Sequence, residues 1–457
     1  MIDLLKNKKN KDKKLVALID GEHYPQINYD AINILKKNYP GFFSGIIFLG
    51  GTEKLVTGNL DDFFREKVFT IKDLDIDFIK ALDSFKPDLV YDLSDEPIVN
   101  YIKRMKIASF CMFKQSSYMG PDFLFEYEEK SIKISKPSML IIGTGKRIGK
   151  TAISSYIARV LAPANDVCII AMGRGGPEHP QVIKGSQTDI TPEFLLKLSR
   201  SGLHASSDYI EDALFSKVTT VGCRRCGGGF SGKFFLSNIR EGVSIAEKLN
   251  PGIIIVEGSG ASVPPVRADY NICVIGADQS WESIVGYLGP YRILMSDLVV
   301  LTMCEEPLTD KGNIDFLESE ILKCKSNVKI VKSIFRPEPV GSIEGRKIFM
   351  ALTAKSLIED KIKEYVEKKY NCEIMRVSFN LSNREKLKKE LLECDNYDTI
   401  LTELKASSVD LVTEFAVANK KQISYMNNVP VILEGEDHLK KLLKKLQGKK
   451  DACRNNK

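Results

Sequence analysis

A glycine-rich stretch that ends in lysine and threonine, GTGKRIGKT at Gly143–Thr151, carries residue types that bind phosphate. It lies between an apolar run, MLII, and a segment with apolar residues at helical spacing, AISSYIARVLA. Glycines let backbone N–H groups turn toward one anion, and the N-terminus of the following helix favours negative charge. The strand–loop–helix order therefore predicts a phosphate-binding loop.

One position departs from the common G-x-x-x-x-G-K-[ST] pattern, because Thr144 stands where the first glycine is expected. In loops of this kind the lysine, here Lys150, reaches the β- and γ-phosphates of a nucleotide, and the hydroxyl of Thr151 binds Mg²⁺. We therefore expect ATP and Mg²⁺ as cofactors. The candidate nucleotide ligands are Gly143, Thr144, Gly145, Lys146, Arg147, Ile148, Gly149, Lys150, Thr151 and Ala152.

An acidic residue ends a second apolar run, GIIIVEGSG, at Glu257. Ligands of parallel sheets bind at the carboxyl ends of the strands, which is where this side chain is expected. Glu257 is therefore a candidate metal ligand together with Thr151, and a candidate catalytic residue with Lys146, Lys150 and Arg174.

Two further glycine-rich loops, AMGRGGPEHPQVIKG and GCRRCGGGFSGK, carry cations. Consecutive glycines suit a close approach of the backbone to an anion, and arginine suits bidentate contact with phosphate. A mobile surface loop is the alternative for the second stretch. We expect an anionic small-molecule substrate, and the candidate substrate ligands are Arg174, His179, Arg224, Arg225, Gly227, Gly228, Lys233 and Arg267.

Two other groups of residues leave their role open. Cys223 and Cys226 form a C-x-x-C pair that is compatible with a metal site, a redox pair or neither, and no second pair of this spacing occurs. Asp20, Glu22 and His23 follow a predicted strand, where a ligand site and a simple turn are equally compatible with the sequence.

Alternating strand and helix patterns predict an α/β protein with largely parallel sheets. We expect an N-terminal α/β domain at 1–135, a P-loop NTPase domain at 136–327 and a C-terminal α/β extension at 328–457, which either continues the P-loop sheet or forms its own lobe. In the first domain, KIASFCMF is expected as a strand.

Composition limits the class of protein. The chain has 457 residues, a net charge of +6 and ten cysteines, most of them in apolar runs. No apolar run is long enough to span a bilayer, and no secretory signal is recognisable at the N-terminus. No nucleic-acid recognition module accompanies the basic tails. We therefore expect a cytoplasmic protein that binds neither membrane nor nucleic acid.

The GT-x-x-x-x-GKT loop and the VEGSG string resemble dethiobiotin synthetase, in the branch of P-loop proteins that includes MinD and the nitrogenase iron protein. That resemblance implies a second catalytic lysine in the loop, for which Lys146 is a loose match, and a homodimer. LTMCEE lacks the Asn-Lys-x-Asp pattern that reads guanine, which favours ATP.

Five strings in order, DGEHYP, GTGKRIGKTA, GRGGPEHP, CRRCGGGFSG and VEGSGASVPPV, resemble the cyclic 2,3-diphosphoglycerate synthetases of methanogenic archaea. The resemblance covers essentially the whole chain. It implies that 2,3-bisphosphoglycerate and ATP give cyclic 2,3-diphosphoglycerate, ADP and phosphate. Lys146 and Arg174 would then stabilise transferred charge, and Arg224 and Arg225 would hold a substrate phosphate.

Two alternatives stay open from the residues themselves. The first is an ATP-dependent kinase or ligase of the dethiobiotin synthetase type that acts on another anion. The second is a nucleotide-switched metallochaperone, which would need a cluster of metal ligands.

Overall fold

The computed structural model describes residues 11–51 and 59–455, which form two compact units. The first unit contains the described residues up to Lys130, together with Trp281–Met295 and Glu320–Ser326. The second contains Ser131–Ser280, Ser296–Ser319 and Asn327–Lys457. Within the described part of the chain, no helix has the length and apolar character that a bilayer crossing requires.

The first unit is built on a sheet with the order β3-β2-β1-β4-β5-β6, in which only the β5–β6 pair is antiparallel. Buried apolar side chains cover both faces of this sheet. Its strands are β1 (Lys14–Ile19), β2 (Phe42–Phe48), β3 (Val68–Thr70), β4 (Leu89–Asp92), β5 (Ser117–Met119) and β6 (Leu124–Phe125). Its helices are α1 (Pro25–Asn38), α2 (Leu60–Phe64), α3 (Leu74–Phe85), α4 (Tyr101–Phe113), α9 (Trp281–Gly286) and α10 (Gly289–Met295).

One predicted strand of this unit is wrong, because KIASFCMF lies in helix α4. The side chain of Asn100 accepts a hydrogen bond from the Lys103 N–H and so caps the helix. The segment from Ile107 to Met112 is buried along its whole length. A helix that is buried all round has a continuous apolar run, which periodicity alone does not distinguish from a buried strand.

The second unit contains the remaining elements. Its strands are β7 (Ile132–Lys133), β8 (Ser138–Gly143), β9 (Val167–Gly173), β10 (Gln181–Lys184), β11 (Thr219–Cys226), β12 (Leu236–Ser237), β13 (Ile253–Gly258), β14 (Val266–Arg267), β15 (Tyr270–Gly276), β16 (Leu298–Thr302), β17 (Lys329–Pro339), β18 (Lys347–Ala351), β19 (Glu373–Ser378), β20 (Thr399–Glu403) and β21 (Gln422–Glu434). Its helices are α5 (Lys150–Leu161), α6 (Pro192–Arg200), α7 (Asp208–Ser216), α8 (Ile239–Lys248), α12 (Glu359–Tyr370), α13 (Arg384–Glu393), α14 (Glu414–Ala418) and α15 (Glu436–Asn455), while α11 (Lys311–Cys324) runs across the division between the units.

One sheet runs through the second unit in the order β10-β11-β9-β13-β8-β15-β16-β17-β21-β20-β18-β19. The strands from β11 to β17 in this order are parallel, and those from β9 to β16 are almost completely buried, as expected for a sheet covered on both faces. The C-terminal strands therefore continue the P-loop sheet, which resolves the question that the sequence left open.

The polarity of the sheet changes between β17 and β21, which form a long antiparallel ribbon. Strands β18 and β20 are parallel to β21 and so run against the P-loop strands. The carboxyl ends of β18 and β20 consequently point back toward the carboxyl ends of β8, β9 and β13. Ligands bind at the carboxyl ends of parallel strands, and here two sets of strand ends face one space.

Candidate functional site

The loop between β8 and α5 has the shape of a phosphate site. Gly149 ends it with φ of +87°, a left-handed conformation that glycine adopts without strain, and α5 begins at Lys150. Lys150 is 6% exposed, and its ammonium group donates a 2.6 Å hydrogen bond to the carbonyl of Gly145. The lysine therefore folds back over its own loop, where a phosphate would lie between the ammonium and the backbone N–H groups.

Thr144, the residue that breaks the usual pattern, ties this loop to the neighbouring strand. Its side chain is 3% exposed, and its hydroxyl donates a 2.6 Å hydrogen bond to Oε1 of Gln279. The same oxygen accepts a 3.2 Å hydrogen bond from the N–H of Gly276 at the end of β15. A glycine at 144 would lack this contact, so threonine here fixes the loop through its side chain.

Glu257 lies where its strand ends, as the sequence predicts. It is 2% exposed, and its Oε1 accepts a 2.6 Å hydrogen bond from the hydroxyl of Thr151. The other carboxylate oxygen, Oε2, is buried and has no hydrogen-bond partner. Burial and the nearby carboxylate of Asp208 raise the pKa of Glu257 to about 8, and burial lowers the pKa of Lys150 to about 8.

These two oxygens, the Thr151 hydroxyl and the orphaned Oε2 of Glu257, fit a magnesium ion. Mg²⁺ typically takes only one or two protein oxygens and completes its shell with water and substrate phosphates. A dedicated cluster is therefore unnecessary, and in the described residues no group of three or more His, Cys, Asp or Glu side chains could hold a metal ion.

Two arginines converge beside this site. A Cβ added at Gly260 would lie 3.2 Å from Nη2 of Arg225 and closer than 3.0 Å to Nη2 of Arg174. Arg225 is anchored, because it donates hydrogen bonds of 2.6 Å to the Gly227 carbonyl and 2.7 Å to the Ser259 carbonyl. Two like charges this close repel each other, so an anion between them would be stabilised.

Lys146 extends the same positive region. Burial lowers its pKa, and the charges of Arg147 and Arg174 lower it further. Arg147 itself has φ of +62° and donates a 2.5 Å hydrogen bond to the hydroxyl of Ser382.

A cavity of about 530 Å³ joins these groups. Of the predicted catalytic and metal-binding residues, Lys146, Lys150, Thr151, Arg174 and Glu257 all line it. Of the predicted nucleotide ligands, the segment 146–152 lines it, whereas Gly143, Thr144 and Gly145 do not.

Several predicted substrate ligands do not line the cavity: His179, Arg224, Arg225, Gly227, Gly228, Lys233 and Arg267. Arg225 nevertheless reaches its edge through the contact at Gly260. Arg224 lies on β11 with its guanidinium 3.7 Å from the carboxylate of Glu178, and Arg267 is exposed on β14. His179 and Lys233 are exposed in their loops.

Sequence reasoning missed Asp208 and one whole wall of the cavity. Asp208 begins α7 beside Gly173, and its carboxylate influences the pKa of Lys146, Lys150 and Glu257. The C-terminal part of the chain adds polar and apolar residues from within β17 and β21, from the carboxyl ends of β18 and β20, and from α12 and the segment that leads into it. This second wall is formed by Phe335, Pro337, Thr353, Lys355, Ile358, Ile362, Glu403, Lys405 and Asn428. Only the strand-end position of Thr353 and Glu403 could have indicated their place.

Neither of the two groups with open roles is among the residues that line this cavity. Cys223 is buried against Gly242, and burial raises the pKa of its thiol to about 12, whereas Cys226 is exposed. Such a thiol stays protonated and is a poor metal ligand or nucleophile. In the first unit, the buried Asp20 lies 3.1 Å from Nδ1 of His23 and accepts a 3.0 Å hydrogen bond from the Glu22 N–H.

Comparisons with known proteins match most of the chain. Family models described as the N-terminal, P-loop and C-terminal domains of cyclic 2,3-diphosphoglycerate synthetase match residues 14–126, 138–334 and 339–429. A cyclic 2,3-diphosphoglycerate synthetase from Methanothermus fervidus is 41% identical over 92% of this chain and 94% of its own length. One from Thermococcus onnurineus is 42% identical over 94% of this chain and 97% of its own length.

Among solved structures, LpxK from Aquifex aeolicus in complex with ATP aligns with 76% of this chain and 96% of its own, at 14% identity and a TM-score of 0.44. A likeness this weak carries no argument about the site. The matches to the family models and to full-length relatives do carry one. With its P-loop domain, its mixed α/β fold and these relatives, the chain belongs to the cyclic 2,3-diphosphoglycerate synthetase family of enzymes.

Proposed function

We propose that this protein is an ATP-dependent synthetase that closes an intramolecular phosphoanhydride in 2,3-bisphosphoglycerate, giving cyclic 2,3-diphosphoglycerate, ADP and phosphate. One observation supports this most directly: the P-loop lysine and the arginine pair at Gly260 belong to one region of the molecule. A nucleoside triphosphate and a second polyanion can therefore meet there.

The reaction needs charge neutralisation more than a strong base. A phosphate oxygen of 2,3-bisphosphoglycerate is already ionised at neutral pH and attacks the γ-phosphorus of ATP, releasing ADP. The substrate's other phosphate then attacks the phosphorus of the phosphate that received this group. The former γ-phosphate leaves as inorganic phosphate, and the ring closes. Both steps bring anions together, so positioning and fixed positive charge supply most of the catalysis.

Each candidate residue has a role that follows from its position in the site. Lys150 and the segment 143–152 hold the ATP phosphates, while Lys146 and Arg174 stabilise the charge that is transferred. Arg225 orients the loop beside Gly260 through its two carbonyl contacts. The more distant candidates from the sequence remain proposals, which require the segments that bear them to approach the substrate: His179, Arg224, Gly227, Gly228, Lys233 and Arg267.

Mg²⁺ is the proposed metal, and Thr151 and Glu257 would hold it. Held by these two residues, the ion would supply positive charge that neutralises the charge developing on the phosphates. The support on this chain is the buried Oε2 of Glu257, an acceptor with no partner next to the Thr151 hydroxyl.

The division into 1–135, 136–327 and 328–457 is likewise proposed, with the last segment supplying the second wall of the cavity. The resemblance to the P-loop branch of dethiobiotin synthetase leads us to propose a homodimer as well, which light scattering coupled to size-exclusion chromatography would test. We also propose a cytoplasmic location, without membrane or nucleic-acid partners.

The deciding experiment incubates the protein with ATP, Mg²⁺ and 2,3-bisphosphoglycerate under reducing conditions and follows ³¹P NMR. We expect new anhydride signals in step with ADP and phosphate. Lys150→Ala should abolish them, because the P-loop lysine no longer reaches the β- and γ-phosphates. Lys184→Ala, an exposed lysine outside the cavity, is the matched control and should keep the wild-type rate.

Three outcomes would contradict the proposal. A linear phosphorylated product would mean a kinase, ATP hydrolysis without product would favour a nucleotide switch, and a Lys150→Ala variant at wild-type rate would refute the nucleotide site.

A further inference from the structure

The wall of the cavity that the C-terminal strands supply has a definite chemical pattern. Phe335 and Pro337 alternate along β17, so their side chains lie on one face of the β17–β21 ribbon. Asn428 is the register partner of Pro337 on β21, and directly opposed residues of an antiparallel pair share a face. All three line the cavity.

The apolar part of this wall starts at the phosphate loop. A Cβ added at Gly149 would collide with the ring of Phe335, so the ring lies directly against the loop. Pro337 and Asn428 lie two residues further along, about 7 Å at the usual rise of a strand. Ile358 and Ile362 complete the apolar surface. A flat heteroaromatic ring attached to the bound phosphates would reach this surface.

The amide of Asn428 is held in one orientation at the edge of this surface. Its Nδ2 donates a 2.6 Å hydrogen bond to Oε1 of Glu403. The other oxygen of Glu403 accepts hydrogen bonds of 2.7 Å from the N–H and 2.5 Å from the hydroxyl of Thr353. A carboxylate only accepts hydrogen bonds, so the NH₂ group of Asn428 must face Glu403, and its Oδ1 must face the other way.

We propose that Asn428, oriented by Glu403, reads the base of the nucleotide. Its Oδ1 accepts a hydrogen bond from the exocyclic amine of adenine while the ring packs on Phe335 and Pro337. Guanine presents a carbonyl oxygen at the corresponding position, and two acceptors repel each other. The C-terminal segment therefore selects ATP over GTP, and Glu403 is a positioning residue.

This inference rests on the proposed function only for the presence of a nucleotide, so we test it by binding alone, without 2,3-bisphosphoglycerate. Affinities of ATPγS, GTPγS and the triphosphate of purine riboside, which lacks the exocyclic amine, are measured by calorimetry with Mg²⁺. One lost hydrogen bond corresponds to about a tenfold change in affinity. Wild-type protein should bind ATPγS at least about tenfold more tightly than the other two.

Asn428→Ala should weaken ATPγS about tenfold and leave the purine riboside triphosphate unchanged, because only the amine loses its partner. Glu403→Gln preserves the shape of the side chain but lets the Asn428 amide turn over, so GTPγS should gain affinity relative to ATPγS. Asn419→Ala, an exposed asparagine that donates to the carbonyl of Phe415 outside the cavity, is the matched control and should change neither ratio.

The outcomes separate the two levels of argument. Tight ATPγS binding with a nucleotide preference that neither Asn428→Ala nor Glu403→Gln alters would overturn the inference and leave the proposed function standing. Failure of the wild-type protein to bind ATPγS at all would overturn both. Glu403→Gln keeps the volume of the core and therefore gives the answer even where Asn428→Ala unfolds.

Discussion

The close packing of Phe335 against Gly149 makes a glycine-to-alanine change in the phosphate loop unusually informative. Gly149 has φ of +87°, and a Cβ there would lie closer than 3.0 Å to the Phe335 ring. The left-handed conformation costs a residue with a Cβ about 1 to 2 kcal/mol. Displacing a packed ring costs about another 1 to 3 kcal/mol.

Gly149→Ala must meet both costs to keep the loop in its phosphate-binding shape. We therefore expect the dissociation constant of ATPγS to rise at least about 30-fold, the equivalent of about 2 kcal/mol. Calorimetry at fixed Mg²⁺ measures it. Gly202→Ala is the control for backbone strain, because Gly202 has φ of +82° but no atom within 4 Å of an added Cβ.

A second substitution separates strain from collision. Phe335→Leu removes the ring that the new Cβ meets, so in that background Gly149→Ala should cost only the strain, about fivefold in affinity for about 1 kcal/mol. The double-variant cycle should thus show a favourable coupling of about 1 to 3 kcal/mol. Costs that simply add, or a Gly149→Ala variant within threefold of wild type, would refute the packing argument.

Two further predictions concern charge. Because burial lowers the pKa of Lys150 to about 8, the affinity for ATPγS, measured in EDTA, should fall by about tenfold between pH 8 and 9.3 as the lysine loses its proton. Lys150→Arg should flatten this fall, because arginine stays charged. Equal affinity of the wild-type protein at both pH values would contradict this prediction. Lys405 lies 3.0 Å from Glu211, and burial raises the pKa of Glu211 to about 7. Lys405→Met should therefore lower the melting temperature, and more so as pH rises above 7, because the unpaired carboxylate must then ionise in the interior. Adding Glu211→Gln should recover much of this loss, and a Lys405→Met variant as stable as wild type at pH 8 would refute the argument.

Local patterns were enough to predict the P-loop side of the cavity. The phosphate loop, its helix and the strand that ends at Glu257 lie in contiguous segments whose hydrophobic spacing indicates their structure. The Thr151–Glu257 contact follows because β13 and β8 are neighbouring parallel strands: Glu257 lies at the carboxyl end of β13, and Thr151 lies in the first turn of the helix that follows β8 and its loop.

The second wall was not predictable in this way, because it depends on pairing between distant segments. Asn428 reaches the cavity only because β21 pairs with β17 in a register that places it opposite Pro337. A shift of one residue would turn Asn428 to the other face, and no local signal fixes that register. The prediction of a strand at helix α4 was wrong for a different reason, because burial on all sides removes the amphipathic period by which a helix is recognised.

The β17–β21 ribbon has a mechanical consequence. It belongs to both halves of the cavity, since β17 leaves the P-loop strands and β21 joins β20 and β18. The distance between the two sets of strand ends is therefore set by the twist of a continuous hydrogen-bonded ladder, which has an irregularity in register between Lys332 and Ser333. A small change in the twist of this ladder would rotate one wall against the other, and so widen or narrow the mouth of the cavity while the backbone of each wall stays unchanged.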